Sequence, residues 1–349
     1  MPELKDIAVI APNLKRRLSG VTSTVVRLVP IQAAEIGVAV TGFGLPGGLP
    51  HVPLRRILAM PRDRVRVWHA RRNIEMLAGI VLKVVLRRRL KLLFTSAAQR
   101  HHTAYTRWLI RQMDAVIATS EKSASFLERP ATVVMHGIDG TAFAPCDDKS
   151  KLRRTLGLPQ GRLVGVFGRV RAQKGTDTFV KSAIIAMASD PDLHALIIGV
   201  VTPKERGFAQ GLRSLISDAG IADRFHFKDY LDWPDLVEHY RALDLFCAPA
   251  RTEGFGLTPL EAMASGVPPI ATRAGAFEEQ IVDGETGRII DAGDPDVLAD
   301  AMRDAFSDPV RLKAWAVAGR ARVEQLFSIE REASQINAVY RQLLEPAAD

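Results

Sequence analysis

Cysteine is nearly absent from this 349-residue sequence, which holds only Cys146 and Cys247. The two have no metal-ligand spacing, and so low a count fits a reducing compartment. Long apolar runs are missing too: the longest, MLAGIVLKVVL from Met76, is interrupted by Lys83 and is too short to span a bilayer. Met1 to Asp6 lead straight into IAVIAP without a signal-peptide pattern, so a cytoplasmic protein is expected. Aromatic residues make up 6% of the chain, which leaves little for the stacking platforms of a nucleic-acid-binding protein. There is no low-complexity tract either.

What is present is polarised charge. Residues 1–150 hold 23 Lys/Arg against 11 Asp/Glu, or +12, and the remainder holds 24 against 28, or −4. The basic residues crowd into LKRR (Arg16, Arg17), PRDRVRVWHARR (Arg71, Arg72) and LRRRLK (Arg87, Arg88, Arg89). That split points to an acidic partner for the first half, the alternative being a solvated basic face.

The length calls for two domains. Short β-like runs alternate with helical stretches throughout: IAVIAP, VAVTGFG, VRVWHA, LKLLFTS, AVIATS and ATVVMHG, then RLVGVFGR, HALIIGV, RFHFKD, LDLFCAPA and VPPIAT. The pattern predicts an α/β protein with two parallel sheets covered by helices on both faces. A boundary is expected in the polar stretch 147–161, which gives domains of 1–155 and 156–326, followed by helix over 327–349.

In such sheets ligands sit beyond the carboxyl ends of strands. After IAVIAP comes Ser19-Gly20-Val21, a loop-to-helix turn suited to an anion or simply to starting a helix. After RLVGVFGR come Arg169 and Lys174, two cations at a strand-to-helix crossing that can hold a diphosphate. After LDLFCAPA comes RTEGFGLTPLEAM, where Glu253 can accept from ligand hydroxyls and Gly254 and Gly256 let the backbone approach. The amides of Phe255, Gly256 and Leu257 are expected to face outward, with Thr258 as helix cap, Pro259 as first helical residue and Glu261 in the first turn. The DPD runs at Asp190 and Asp294 read as turns rather than metal sites.

The stretch EGFGLTPLEAMASGVPPIAT resembles the signature of retaining glycosyltransferases of family 4, which have the GT-B fold. GRVRAQKGTDTFV is similar to that family's diphosphate-binding segment, and VVMHGIDGTAFAP to its interdomain segment, with His136 in place of Asn. GETGRII and GDPDVLADAM fit its C-terminal pattern, and the likeness is densest from Val133 to Met302. The resemblance implies two Rossmann-like domains across a cleft, with C-terminal helix returning to the first. It implies a nucleotide-sugar in the second domain and an acceptor in the first. Glu261 would take the ribose hydroxyls and Glu253 the hydroxyls of the sugar. Arg169 and Lys174 would take the diphosphate, helped by Gly20. No metal or other cofactor is implied.

The sequence departs from that pattern where the family often shows T-x-H. Here FTSAAQRHHT puts Ala97 at that place, which leaves His69 or His102 as the histidine expected to contact the sugar. Asp229 stands where glycine is usual, which bears on the base pocket. WHARRNIEM and FTSAAQRHHTAYTRWLIRQMDAVIATS are similar to bacterial mannosyltransferases that build the lipopolysaccharide inner core. That finer likeness implies GDP-mannose as donor and a 3-deoxy-octulosonate sugar on a lipid A precursor as acceptor. It also implies peripheral attachment to the inner face of the cytoplasmic membrane, where basic side chains are favoured by about 1 kcal/mol each. The rival within enzymes is a family-4 transferase using a UDP-sugar and a soluble or polyprenyl-linked acceptor.

Overall fold

The computed structural model describes residues 3–15 and 20–345, and side chains at 20 and 21 are not described. The chain divides into two compact units, one from residues 1–136 together with 329–349 and the other from residues 137–328.

The first unit is built on six parallel strands: β1 (Val9–Asn13), β2 (Val38–Gly42), β3 (Arg66–Ala70), β4 (Leu90–Ser96), β5 (Ala115–Ala118) and β6 (Thr132–Val133), in the order β2-β1-β3-β4-β5-β6. β1 and β3 are buried along their whole length, as expected of parallel strands covered on both faces. Side-chain parity sorts the covering helices. Ile10, Trp68, Ala70 and Leu92 pack with the helices Asn73–Val84 and Ala104–Arg111, while Val9, Ala11, Val67 and Leu93 pack with Gly20–Ala33 and Ile329–Leu344. A single C-terminal helix therefore returns to the first unit, burying Ile329, Ile336, Val339 and Tyr340. Among the described residues no helix is long and apolar enough to cross a membrane.

The second unit holds β7 (Arg162–Phe167), β8 (Leu193–Ile198), β9 (Phe225–Lys228), β10 (Leu245–Ala248), β11 (Pro269–Thr272) and β12 (Arg288–Ile290), all parallel, in the order β12-β11-β10-β7-β8-β9. The eleven strand-like runs of the sequence are strands, and β12, within GETGRII, is the additional one.

Residues 137–155 group with the second unit and not with the first, a correction to the expected boundary at 155/156. The physical reason is that this polar stretch is fastened down. Arg241 donates to the carbonyls of Ala142 (2.8 Å) and Ala144 (2.6 Å), and the Phe143 ring lies edge-on to Tyr240 at 5.9 Å. Arg153 donates to Ala242 O and pairs with Asp244 at 2.7 Å. The C-terminal passage falls at 328/329, two residues later than expected.

Candidate functional site

In a sheet of this order the connections reverse between β7 and β10, and a crevice opens where the chain leaves adjacent strands in opposite directions. Two loops meet at that point. The one after β7 carries Arg169 and Lys174, and the one after β10 carries Glu253. Lys174 Nζ forms an ion pair with Glu253 Oε2, joining residues 79 apart in sequence. Both side chains are half-buried. Arg169 is exposed and, among the described residues, its guanidinium has no hydrogen-bond or ion-pair partner.

Each loop is braced by residues that the motif reading passed over. Arg251 spans the two, donating to the carboxylate oxygens of Asp177 at 2.7 and 2.8 Å and to Ala172 O. Burial opposes ionisation of Asp177, but the Arg251 hydrogen bonds and charge outweigh it and hold the carboxyl below its usual range. Gln173 accepts from Arg251 N at 2.9 Å and donates to Thr252 O at 3.2 Å. Buried Gln280 donates to Gly256 O at 2.8 Å, and Ala276 N donates to Phe255 O at 3.1 Å, so the Gly-Phe-Gly turn is tied from below. The only advance signal for these residues was their closeness to the motifs.

Two glycines are obligatory here. Gly175, at φ 71°, precedes the helix Thr176–Met187, and a Cβ on it would overlap the Pro249 carbonyl. Gly256, at φ 83°, would overlap the Phe277 ring. Both combine left-handed backbone with a close approach that no side chain permits.

The helix after this turn runs Thr258–Ala264, with Leu257 as its N-cap and no side-chain cap bond. Thr258 is thus the first helical residue rather than the cap, and Pro259 follows it in the first turn. Among the described residues neither the Gly256 nor the Leu257 amide has a hydrogen-bond partner, which leaves both donors for a ligand. Phe255 itself is buried. Glu261 is half-buried, and its Oε2 accepts from the Tyr240 hydroxyl at 2.7 Å.

In the first unit the order reverses between β1 and β3. Arg72 sits there as an internal anchor. It pairs with fully buried Glu75 at 2.7 Å and donates to Asn13 Oδ1 (2.8 Å) and Thr22 Oγ1 (3.1 Å). Arg71 is half-buried, its own amide donating to Glu75 Oε2 at 2.9 Å. Arg88 donates to the carbonyls of Leu58 and Met60, so it too works inward. Arg87 and Arg89 are exposed. Arg16 and Arg17 lie outside the described residues, and Gly20 opens the helix Gly20–Ala33.

Of the two histidine candidates, His69 is removed. Its ring is fully buried on the face covered by the C-terminal helix, with Nδ1 2.7 Å from the Tyr340 hydroxyl and Nε2 2.6 Å from Thr95 Oγ1. Both ring nitrogens are used within the protein, so it cannot contact a sugar. His102 is half-buried beyond β4, with Nε2 3.4 Å from Ser96 Oγ. Burial lowers the pKa of each, and for His69 the Arg71 charge adds to it. The unfolded chain takes up a proton near pH 6.5 where folded His69 refuses one, so its contribution is lost as pH falls below that value. The His69→Gln variant is expected to unfold more easily than the parent at pH 7. Denaturant curves at stepped pH should show that gap narrowing by up to about 1.4 kcal/mol per pH unit toward pH 5.5.

The DPD aspartates serve turns. Asp190 pairs with Arg162 at 2.7 Å, and Asp294 caps the helix Pro295–Ser307.

Comparison with known proteins matches this arrangement to one family. Residues 148–322 match the model described as "Glycosyl transferases group 1". The chain is 49% identical to the lipopolysaccharide core biosynthesis mannosyltransferase LpcC of Rhizobium leguminosarum bv. viciae, over 99% of each. It is likewise 49% identical to LpsB of Rhizobium meliloti, a protein of the same description, over 99% of this chain and all of that one. Among solved structures, Anabaena Alr3699/HepE in complex with UDP superposes with a TM-score of 0.84 at 19% identity, covering 96% of this chain and all of that one, a likeness of fold. The chain is a GT-B glycosyltransferase and belongs to the group 1 glycosyl transferases.

Proposed function

We propose that the protein transfers mannose from GDP-mannose, with retention, to a 3-deoxy-octulosonate sugar on a lipid A precursor. One observation carries the chemistry: Lys174 and Glu253 meet, with Arg169 on the same loop as Lys174, at the strand crossing where a nucleotide binds in this kind of sheet. Mannose and a lipopolysaccharide core acceptor rest on the two full-length relatives of that description, and GDP and the 3-deoxy-octulosonate sugar on the resemblance of WHARRNIEM and FTSAAQRHHTAYTRWLIRQMDAVIATS.

On this reading Arg169 and Lys174 hold the diphosphate, with the Gly256 and Leu257 amides as further donors. Glu261 takes the ribose hydroxyls and Glu253 those of the mannose. The acceptor oxygen forms a bond to the anomeric carbon on the face from which the diphosphate departs. The anomeric C–O bond breaks toward the phosphate, and the acceptor's proton passes to the leaving phosphate oxygen. Charge grows on that oxygen in the transition state, where fixed cations stabilise it most. His102 is the remaining histidine candidate for the sugar.

Two features support a membrane-presented acceptor: the basic first half, and an exposed apolar stripe on the helix Asn73–Val84 beside Arg87 and Arg89. Attachment at the inner face of the cytoplasmic membrane follows from the same reading.

A panel of GDP- and UDP-sugars, scored for transfer and for thermal stabilisation, tests the donor. Stabilisation by UDP-glucose and not by GDP-mannose would overturn the mannose assignment. Within the site, Glu253→Gln is expected to lower kcat about tenfold or more, the worth of a hydrogen bond to a charged group. KM for the donor should change little, because the contact is to the reacting sugar. A raised KM with normal kcat would move Glu253 away from the reacting centre.

A further inference from the structure

The structure assigns to Tyr240 the placement of Glu261, a positioning role that rests on the reading of Glu261 as the ribose ligand. Tyr240 lies in the helix Trp233–Arg241, before β10, and Glu261 lies in the helix after it. The tyrosine ring is fully buried among aromatics, with centroids 4.5 Å from Phe167, 5.4 Å from Phe246 and 5.9 Å from Phe143. Phe167 ends β7 and Phe246 lies in β10, so the ring is seated under the two strands whose loops carry Arg169 and Glu253.

A hydroxyl buried this deeply must find an acceptor, and it donates to Glu261 Oε2 at 2.7 Å. Burial, then the neighbouring Glu261 charge, raises the Tyr240 pKa well above its ordinary value, so the group remains a donor at any working pH. Such a donor fixes a carboxylate without cancelling its charge. The bond does not exhaust the oxygen, which can accept more than one hydrogen. A glutamate has three rotatable side-chain bonds, and the Tyr240 hydroxyl fixes one of its oxygens. Fixing it before the nucleotide arrives removes an ordering cost from binding. The two acids of the site are thus held differently: Glu253 by the cation Lys174, Glu261 by a neutral hydroxyl on a rigid ring.

Equilibrium binding of GDP to four full-length proteins tests this: the parent, Tyr240→Phe, Glu261→Gln and the double variant. Tyr240→Phe keeps the ring and its aromatic contacts. It is expected to bind GDP about three- to tenfold more weakly, the cost of ordering one flexible side chain on binding. The donor KM should rise by the same factor, with kcat within about twofold. In the Glu261→Gln background the tyrosine change should cost less than about twofold, because a residue acting through another loses its effect when that other is gone. Affinity for 2′,3′-dideoxy-GDP should be the same for parent and Tyr240→Phe, a result that general loosening of the core would not give. Glu261→Asp leaves Tyr240 intact and withdraws the carboxylate from both the hydroxyl and the ribose, so it should weaken GDP at least as much as Tyr240→Phe whether or not the latter folds. If Glu261→Gln weakens GDP while Tyr240→Phe or Glu261→Asp does not, or if the tyrosine effect persists undiminished in the double variant, the positioning role is wrong. Unchanged GDP affinity in Glu261→Gln overturns the ribose reading itself, and the positioning role with it.

Discussion

Lys174→Ala and Arg169→Ala are each expected to lower turnover by about 10² or more while the fold survives, the loss typical of removing a fixed donor from developing charge. The two should differ in everything except rate. Arg169 is exposed and has no partner among the described residues, so its removal should leave unfolding free energy within about 0.5 kcal/mol of the parent. Lys174 is half-buried and paired with Glu253, so its loss leaves a partly desolvated carboxylate at the mouth of the site. Its variant should therefore lose stability as well as rate, and Glu253→Gln added to it should restore part of the stability. Initial rates with a saturating nucleotide-sugar, alongside denaturant curves, separate these outcomes. Near-normal turnover in both single variants would remove the diphosphate assignment. Equal stability losses in both would mean that the Lys174–Glu253 pair has no structural weight.

The sequence made this half of the molecule legible because parallel strands here are short apolar runs and the ligand loops follow them. Glycine placement and charge mark Arg169, Lys174, Glu253 and Glu261 as candidates, and the structure brings Lys174 and Glu253 together. What it could not show was which of these residues touch each other. The Lys174–Glu253 pair exists because β7 and β10 are neighbours, although β8 and β9 lie between them in sequence. His69 shows the same limit from the other side. Strand parity puts it on the face of Val67 and opposite Trp68, but only the returning C-terminal helix decides that this face is closed by Tyr340. Likewise a run of arginines does not reveal which of them turn inward. Arg72 is consumed by Glu75 and Arg88 by the carbonyls of Leu58 and Met60, while Arg87 and Arg89 are exposed, Arg89 keeping one 3.3 Å bond to Asp63 O. The stretch 147–161 is polar enough to pass for a boundary, but its polarity is spent on bonds within the second unit, Lys149 and Arg153 to Asp244 and Arg153 to Gly161 O.

That inward turn of Arg88 changes how the membrane proposal is best tested. Reversing it would break its bonds to Leu58 and Met60 and confuse folding with binding. The more telling feature is apolar. On the helix Asn73–Val84 and its C-cap, Ile74, Leu77, Val81, Val84 and Val85 are all exposed, from 38% at Leu77 to 68% at Val85. Their spacing places most of them along one side, the reverse of what a helix facing only water would show. The adjoining helix Ala104–Arg111 adds Tyr105 and Trp108, exposed and stacked at 6.3 Å, and amphipathic rings of this kind favour the boundary between water and lipid. Arg87 and Arg89 stand just past the C-terminal end of the first helix, where each would add about 1 kcal/mol against an anionic surface. Three inserted apolar side chains supply more than two arginines can, at roughly 1.5 kcal/mol or above for each one fully buried. Changing Leu77, Val81 and Val84 together to glutamate is therefore expected to weaken sedimentation with anionic vesicles by about 10² or more. Arg87→Glu with Arg89→Glu should weaken it by about tenfold, and added salt should reproduce only the arginine effect, because screening acts on exposed charges and not on apolar contact. Transfer to a short lipid-free acceptor should stay near normal in both variants. If the apolar triple variant binds vesicles like the parent, or if its only change is a shift in oligomeric state, this face serves another copy of the chain and not a membrane.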